Sequence, residues 1–125
     1  MAKYIDGFVF PIPKSQVEAY RKVAEQVAAI WKEHGALSYR EWVQDDIHLA
    51  GTRSFQEAVV VQAGEVIVFG WVEFPSKQIC EEAHKAVAAD ARMAEIVAPL
   101  VDSEAPIFAA NRMVYGRFNK LITVG

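Results

Sequence analysis

The polar side chains of this 125-residue chain that could do chemistry are Asp6, His34, Tyr39, Glu41, Asp45, Asp46, His48, Arg112 and Tyr115. A carboxylate taken out of water holds its proton to higher pH and can act as a general base. Glu41 and Asp6 are the candidates for that role, with His34 as a third acid–base group. Tyr39, Trp71, Arg112 and Tyr115 are the side chains that could hold a small, polar-tipped ligand in an apolar cleft. A structural reading competes with each. Asp6 could pair with Arg112, and Glu41 with Arg40 or another cation, which would simply satisfy buried groups. His34, near a helix end, could bond the last carbonyls and interact with the helix dipole.

Asp45, Asp46 and His48 form D-D-x-H with Glu41 upstream, an oxygen-and-imidazole set that could suit a divalent ion. A strand end leading into a loop also collects such residues, and no H-x-x-x-H, C-x-x-C or acidic calcium loop accompanies them. Cys80 is the single cysteine and falls on the apolar side of a helix, where packing is the simpler reading. Trp31 and Trp71 read as core or interface residues, while Trp42 belongs to a more polar strand. Phosphate-cradling glycine loops and dinucleotide fingerprints are absent, so neither a metal nor a cofactor is expected.

The elements that must position these residues are organised around Val66 to Phe74, VIVFGWVEF. β-branched and aromatic residues dominate this stretch, and both of its faces are apolar. Val66, Val68, Gly70, Val72 and Phe74 share one face; Ile67, Phe69 and Trp71 share the other. A half-exposed strand would alternate, so this one is expected to be central and covered on both sides. Residues 3–10 form a first strand with Tyr4, Asp6, Phe8 and Phe10 on one face, ended by Pro11 and Pro13. Ser15 and Glu18 match a capping box for an amphipathic helix carrying Val17, Tyr20, Ala24, Val27, Trp31 and His34, stopped at Gly35.

Residues 36–46 read as a second, edge-like strand, and residues 47–65 as a loop with a short helix after Ser54. Ser76 caps a further helix with Ile79, Cys80, Ala83, Ala86 and Val87 inward, which either continues through or restarts near Asp90 and ends at Pro99. A last edge strand covers 112–122. The resulting order, β-α-β then β-α-β in a single domain over residues 1–125, predicts a ferredoxin-like α+β fold: a four-stranded antiparallel sheet with its helices on one face.

That arrangement leaves the second sheet face bare in a monomer. A second copy packed face to face, giving a dimeric α/β barrel, would cover it; the 47–65 insertion folding back is the alternative. Net charge is −3, without a basic stripe, so nucleic acid is not an expected partner. The opening residues lack the long apolar core of a signal peptide and no stretch could span a membrane, so a cytoplasmic protein is expected.

Several stretches taken together resemble a known family: YIDGFVFPIPK, WKEHGALSYREWVQDD, VIVFGWVEF and RMVYGRF. They are similar, in order and spacing, to the YbaA-like domain-of-unknown-function family of small bacterial proteins. The most specific part is HGAL-x-Y-R-E followed by Asp45–Asp46; Ala109 and Ala110 depart from the polar turn of relatives. The resemblance implies a dimeric α/β-barrel, ferredoxin-like fold, in a superfamily that includes cofactor-independent monooxygenases. The expected function is a homodimeric barrel binding a small, largely apolar molecule in a cleft of each protomer. An enzyme on the same cleft and a structural or regulatory dimer are the alternatives.

Overall fold

Strand β1 (Tyr4–Pro13) runs through the middle of the sheet. In the computed structural model, which describes residues 1–125, β1 pairs antiparallel with β3 (Glu65–Phe74) along its whole length. Its other edge carries β4 (Val114–Asn119), from Tyr4↔Asn119 to Val9↔Val114. Strand β2 (Ser38–Val43) lies outside β3, giving the order β2-β3-β1-β4. This is the ferredoxin-like sheet, with β1 and β3 central and β2 and β4 at the edges. The sheet is open and does not close into a barrel within one chain.

The strand periodicity lands where the apolar pattern puts it. The register aligns Asp6 with Val72, Phe8 with Gly70 and Phe10 with Val68, so the even-numbered residues of β1 and β3 share a face. That face carries Tyr4, Phe8, Phe10, Ile12, Val66, Val68, Val72 and Phe74, all buried. Against it pack α1 (Val17–Glu33) and α3 (Lys77–Ala89), whose Tyr20, Trp31, Cys80 and Ala83 join the core. Each such aliphatic or aromatic side chain contributes roughly 1.5–3 kcal/mol on burial. A shorter helix, α4 (Arg92–Val101), closes this layer, with Leu100 buried. No helix is long and apolar enough to cross a membrane.

The second sheet face is covered at one end only. Within the 47–65 insertion, the single turn α2 (Phe55–Ala58) brings Phe55 to within 5.5 Å of the Phe69 ring, and Val59 and Ile67 are both buried. The rest stays bare: Trp42 is 55 % exposed, Phe69 41 %, Val114 51 % and Phe118 56 %. The insertion therefore folds back over the sheet, but covers part of it.

Several local expectations are corrected. β1 does not stop at Pro11 but continues through Pro13, opposite Ile67 and Glu65. The Lys14 N–H donates to Gly64 O, so even-numbered residues turn their donors toward β3. The odd-numbered prolines turn their donorless nitrogens the other way, where β4 has already ended. The Ser15–Glu18 capping box does not form: residues Lys14–Gln16 make a 3-10 turn, and Glu18 pairs with Arg21 instead. Ser76 does cap α3, its hydroxyl accepting from Ile79 N–H. Pro99 lies inside α4 rather than at its end, and Gly35, with φ +118°, stops α1 as expected.

Candidate functional site

Asp6 is the one buried charged-type side chain of the helix-covered sheet face. It is the third residue of β1, and strand alternation aims its carboxyl at α3 among the core aromatics. Three elements supply its partners. Cys80 and His84 stand one turn apart on α3. The His84 Nε2 is 2.6 Å from Asp6 Oδ2, and the Cys80 thiol donates to Oδ1 at 3.5 Å. From β4, the Tyr115 hydroxyl donates to Oδ1 at 2.6 Å, and Arg117 Nε lies 3.6 Å from the same oxygen while donating to Tyr115. A buried carboxylate is tolerated where its lone pairs are taken up in this way. Burial, reinforced by the adjacent carboxylate, pushes both the Cys80 thiol and the Tyr115 hydroxyl up to about 12. The Trp31 ring packs edge-on against His84, with centroids 5.0 Å apart, and fixes its plane.

This cluster forms the polar end of a cavity of about 320 Å³ between the sheet and the helices. Phe8, Phe10 and Val72 form its floor; Ala24, Val27 and Trp31 of α1, with Val97 and Leu100 of α4, form its walls. Phe108 and Met113 close the far side. Apart from the Asp6 group, Tyr20, Tyr39 and Trp31 are the lining residues that carry a polar side-chain atom.

The same two tyrosines line a second, smaller cavity of about 230 Å³ that contains Glu41. Glu41 therefore lies beyond a Tyr20–Tyr39 partition and not in one cleft with Asp6. The Tyr20 hydroxyl donates to Glu41 Oε1 at 2.5 Å, while Oε2 is buried without a partner. Burial raises the Glu41 pKa, and the two phenols oppose that rise. The phenols are themselves pushed up, by burial first and by Glu41 second. Room for Glu41 comes from Gly70: a Cβ there would stand 2.6 Å from the Phe8 ring, 2.7 Å from Arg40 O and 2.9 Å from Glu41 Cγ. The space beside Gly70 is thus filled by the chain's own Phe8 and Glu41.

The structure brings Asp6 and Tyr115 together, places Tyr39 in the lining of the same cavity, and separates the other candidates from them. Arg112 does not pair with Asp6. It precedes β4, at the Glu65 end of the sheet, and holds both Glu65 oxygens (2.6 and 2.7 Å) and Val60 O. Arg117, directly opposite Asp6 in the register, takes the place expected for it. Glu41 pairs with a phenol rather than with Arg40 or another cation. Trp71 faces the other side of the sheet, stacked on Trp42 and donating to Glu73, outside both cavities. His34 sits at the C-terminal end of α1 and contacts Asp90 at 2.9 Å, beside an Arg92 that grips Glu33 and Asp90. Arg92 first, then His34, holds the Asp90 carboxyl well below its usual range. Asp46 accepts from the His48 backbone N–H in a local turn, all three of the D-D-x-H side chains being exposed.

Sequence reasoning misses His84 and Tyr20. His84 had a usable signal, since it follows Cys80 by four residues and so shares its helix face. Tyr20 was legible only as an apolar stripe position; its hydroxyl partner is on another element.

Comparison with known proteins finds relatives along nearly the whole chain. The chain is 36 % identical over 120 residues to "Uncharacterized protein YbaA" of Escherichia coli K12, covering 96 % of this chain and 97 % of that one. The Shigella flexneri protein of the same description matches equally. Among solved structures, a nipsnap family protein with unknown function from Agrobacterium tumefaciens superposes with a TM-score of 0.55 at 14 % identity, covering 95 % of this chain and 88 % of that one, which is a likeness of fold. The family model described as "Protein of unknown function (DUF1428)" matches residues 3–103, and the chain belongs to that family.

Proposed function

We propose that this chain binds a small, largely apolar molecule with a hydroxyl or carbonyl tip in the cavity between the sheet and helices α1 and α4. The observation that carries this reading is the segregation of the lining: carbon on nearly every side, with Asp6, His84 and Tyr115 gathered at one end. Ligand pockets commonly combine an apolar body with a few convergent polar groups. Saturation-transfer NMR against a panel of small alcohols, ketones and phenols tests it. Binding should be found in the wild type and lost in Ala24→Trp, which fills the cavity from α1. Absence of binding across the panel, or binding indifferent to Ala24→Trp in a folded variant, would overturn it.

One contact favours an enzyme on the same site as a second reading. A buried carboxylate hydrogen-bonded to an imidazole at 2.6 Å is the arrangement that orients a general base. Under this reading, turnover of a bound molecule is abolished in His84→Gln and persists in Glu41→Gln, because Glu41 lies behind the tyrosine partition. The reverse ranking would remove it.

The proposed working unit is a homodimer, supported by the bare apolar end of the second sheet face around Trp42, Phe69 and Phe118. Light scattering on the wild type should give twice the chain mass, and Phe118→Asp should give the monomer mass. A wild-type monomer at micromolar concentration would reject the dimer while leaving the cavity reading intact.

A further inference from the structure

We propose that Asp6, Cys80 and His84 form a three-ligand site for zinc or a similar borderline divalent ion, with its open position facing the cavity. One ligand atom from each residue can be chosen so that all three lie within 4.8 Å of one another, and Asp6 and Cys80 are buried. The donor set is one carboxylate oxygen, one thiol sulfur and one imidazole nitrogen. That mixture suits zinc-class ions rather than calcium or magnesium. Cys80 and His84 lie at i and i+4 on α3, so both reach the same point from one rigid helix.

The distances are near those an ion would impose. With zinc–ligand bonds of roughly 2.0–2.3 Å, tetrahedral ligands stand about 3.3–3.6 Å apart. Cys80 Sγ and Asp6 Oδ1 are already 3.5 Å apart. His84 Nε2 stands 2.6 Å from the other carboxylate oxygen, Oδ2, so on binding one ion the Asp6 carboxylate must turn to present its oxygen to a point shared by the thiol and the imidazole. On binding, the thiol proton leaves to solvent and the imidazole carries its hydrogen on Nδ1, freeing the Nε2 lone pair. Around the ligands, the Tyr115 hydroxyl donates to the carboxylate, as supporting groups of bound metals do, and the Trp31 ring packs against the imidazole.

A second cluster differs in having a guanidinium at its centre. Glu33, His34 and Asp90 also converge, but the Arg92 guanidinium sits between the two carboxylates, at 2.5 and 2.7 Å. Around Asp6 the nearest guanidinium, Arg117, gives its hydrogen bond to Tyr115 and stands 3.6 Å from the carboxylate. This proposal does not depend on the cavity taking an organic molecule. Three protein ligands and an open fourth position are, however, the pattern of zinc sites that polarise a bound group.

Titration of metal-free protein with cobalt(II) alone tests the site. Because Cys80 is the single cysteine, a sulfur-to-cobalt charge-transfer band in the near ultraviolet can report on no other residue. The expected result is that band at one equivalent, together with the intense visible absorption of tetrahedral cobalt, both removed by zinc. Cys80→Ser should lose the charge-transfer band. Tyr115→Phe should keep it but bind about 10-fold more weakly, as loss of a supporting hydrogen bond to a metal ligand does. Saturation without a sulfur band in the wild type, or spectra unchanged in Cys80→Ser and His84→Gln, overturns the proposal. The NMR panel, run with chelator present, reads the organic ligand separately.

Discussion

Asp6 and Glu41 are carboxylates on one face of one sheet, two strands apart, and they are buried on different terms. Asp6 meets donors or hydrogen-bonding partners from α3 and β4: His84, Cys80 and Tyr115, with Arg117 alongside. Glu41 has one strong donor, Tyr20, and an oxygen with none. The difference teaches where each can be used. A carboxylate held by several partners is a fixed anchor that orients its neighbours, whereas one buried among phenols is easily neutralised and contributes little direction.

The largest test of that contrast is Asp6→Ala. It strips three side chains of their shared hydrogen-bonding partner, leaves Arg117 without its counter-charge, and should cost about 3–5 kcal/mol by denaturant unfolding. A loss under about 1 kcal/mol would put Asp6 on the same footing as Glu41. Gly70→Ala comes next. Its new Cβ meets the Phe8 ring and the Arg40 carbonyl, and the carbonyl cannot move aside freely. About 1–3 kcal/mol of overpacking is expected, with Glu41 displaced from Tyr20. A neutral effect would mean that Glu41 is free to shift.

Tyr20→Phe removes the only strong donor to Glu41 and should cost about 1–2 kcal/mol, rising with pH. Glu41→Gln is the smallest change, under about 1 kcal/mol near neutral pH, and its pH dependence is the sharper readout. Burial raises the Glu41 pKa, so the folded chain takes up that proton at higher pH than the unfolded chain does. The associated stability is present at low pH and is lost as pH rises through the folded value. The wild type should therefore gain on Glu41→Gln as pH falls from neutral toward the ordinary carboxylate range. A difference that stays flat would show that Tyr20 and Tyr39 cancel the effect of burial.

The fold was legible because its signals are local and periodic. The two-faced apolar run of β3, the alternation of β1 and the Ser76 cap each depend on residues a few positions apart, and each is present. Signals needing a third dimension were not. Ser15 and Glu18 have capping-box spacing, yet the chain leaves β1 as a 3-10 turn and breaks the geometry the box requires. Asp6 was identifiable as a carboxylate on an apolar face, but its partners lie 74, 78 and 109 residues away. No spacing rule reaches across such gaps. Arg112 illustrates the limit: it was the cation expected beside Asp6, and the register puts Arg117 there instead.

Pro11 and Pro13 have a consequence for how the sheet margin is finished. Beyond Val9 the β4 side of β1 has no strand partner, yet Pro11 is buried there. An ordinary residue would leave a backbone donor enclosed without an acceptor, a defect that native proteins rarely carry. The two prolines delete those donors at the positions where the ladder is missing. A central strand can then outrun its neighbour and be sealed by irregular chain, with Arg112 tying Val60 and Glu65 beside it. Pro11→Ala would restore one orphan N–H in that seal and invite either water or a foreign strand to satisfy it.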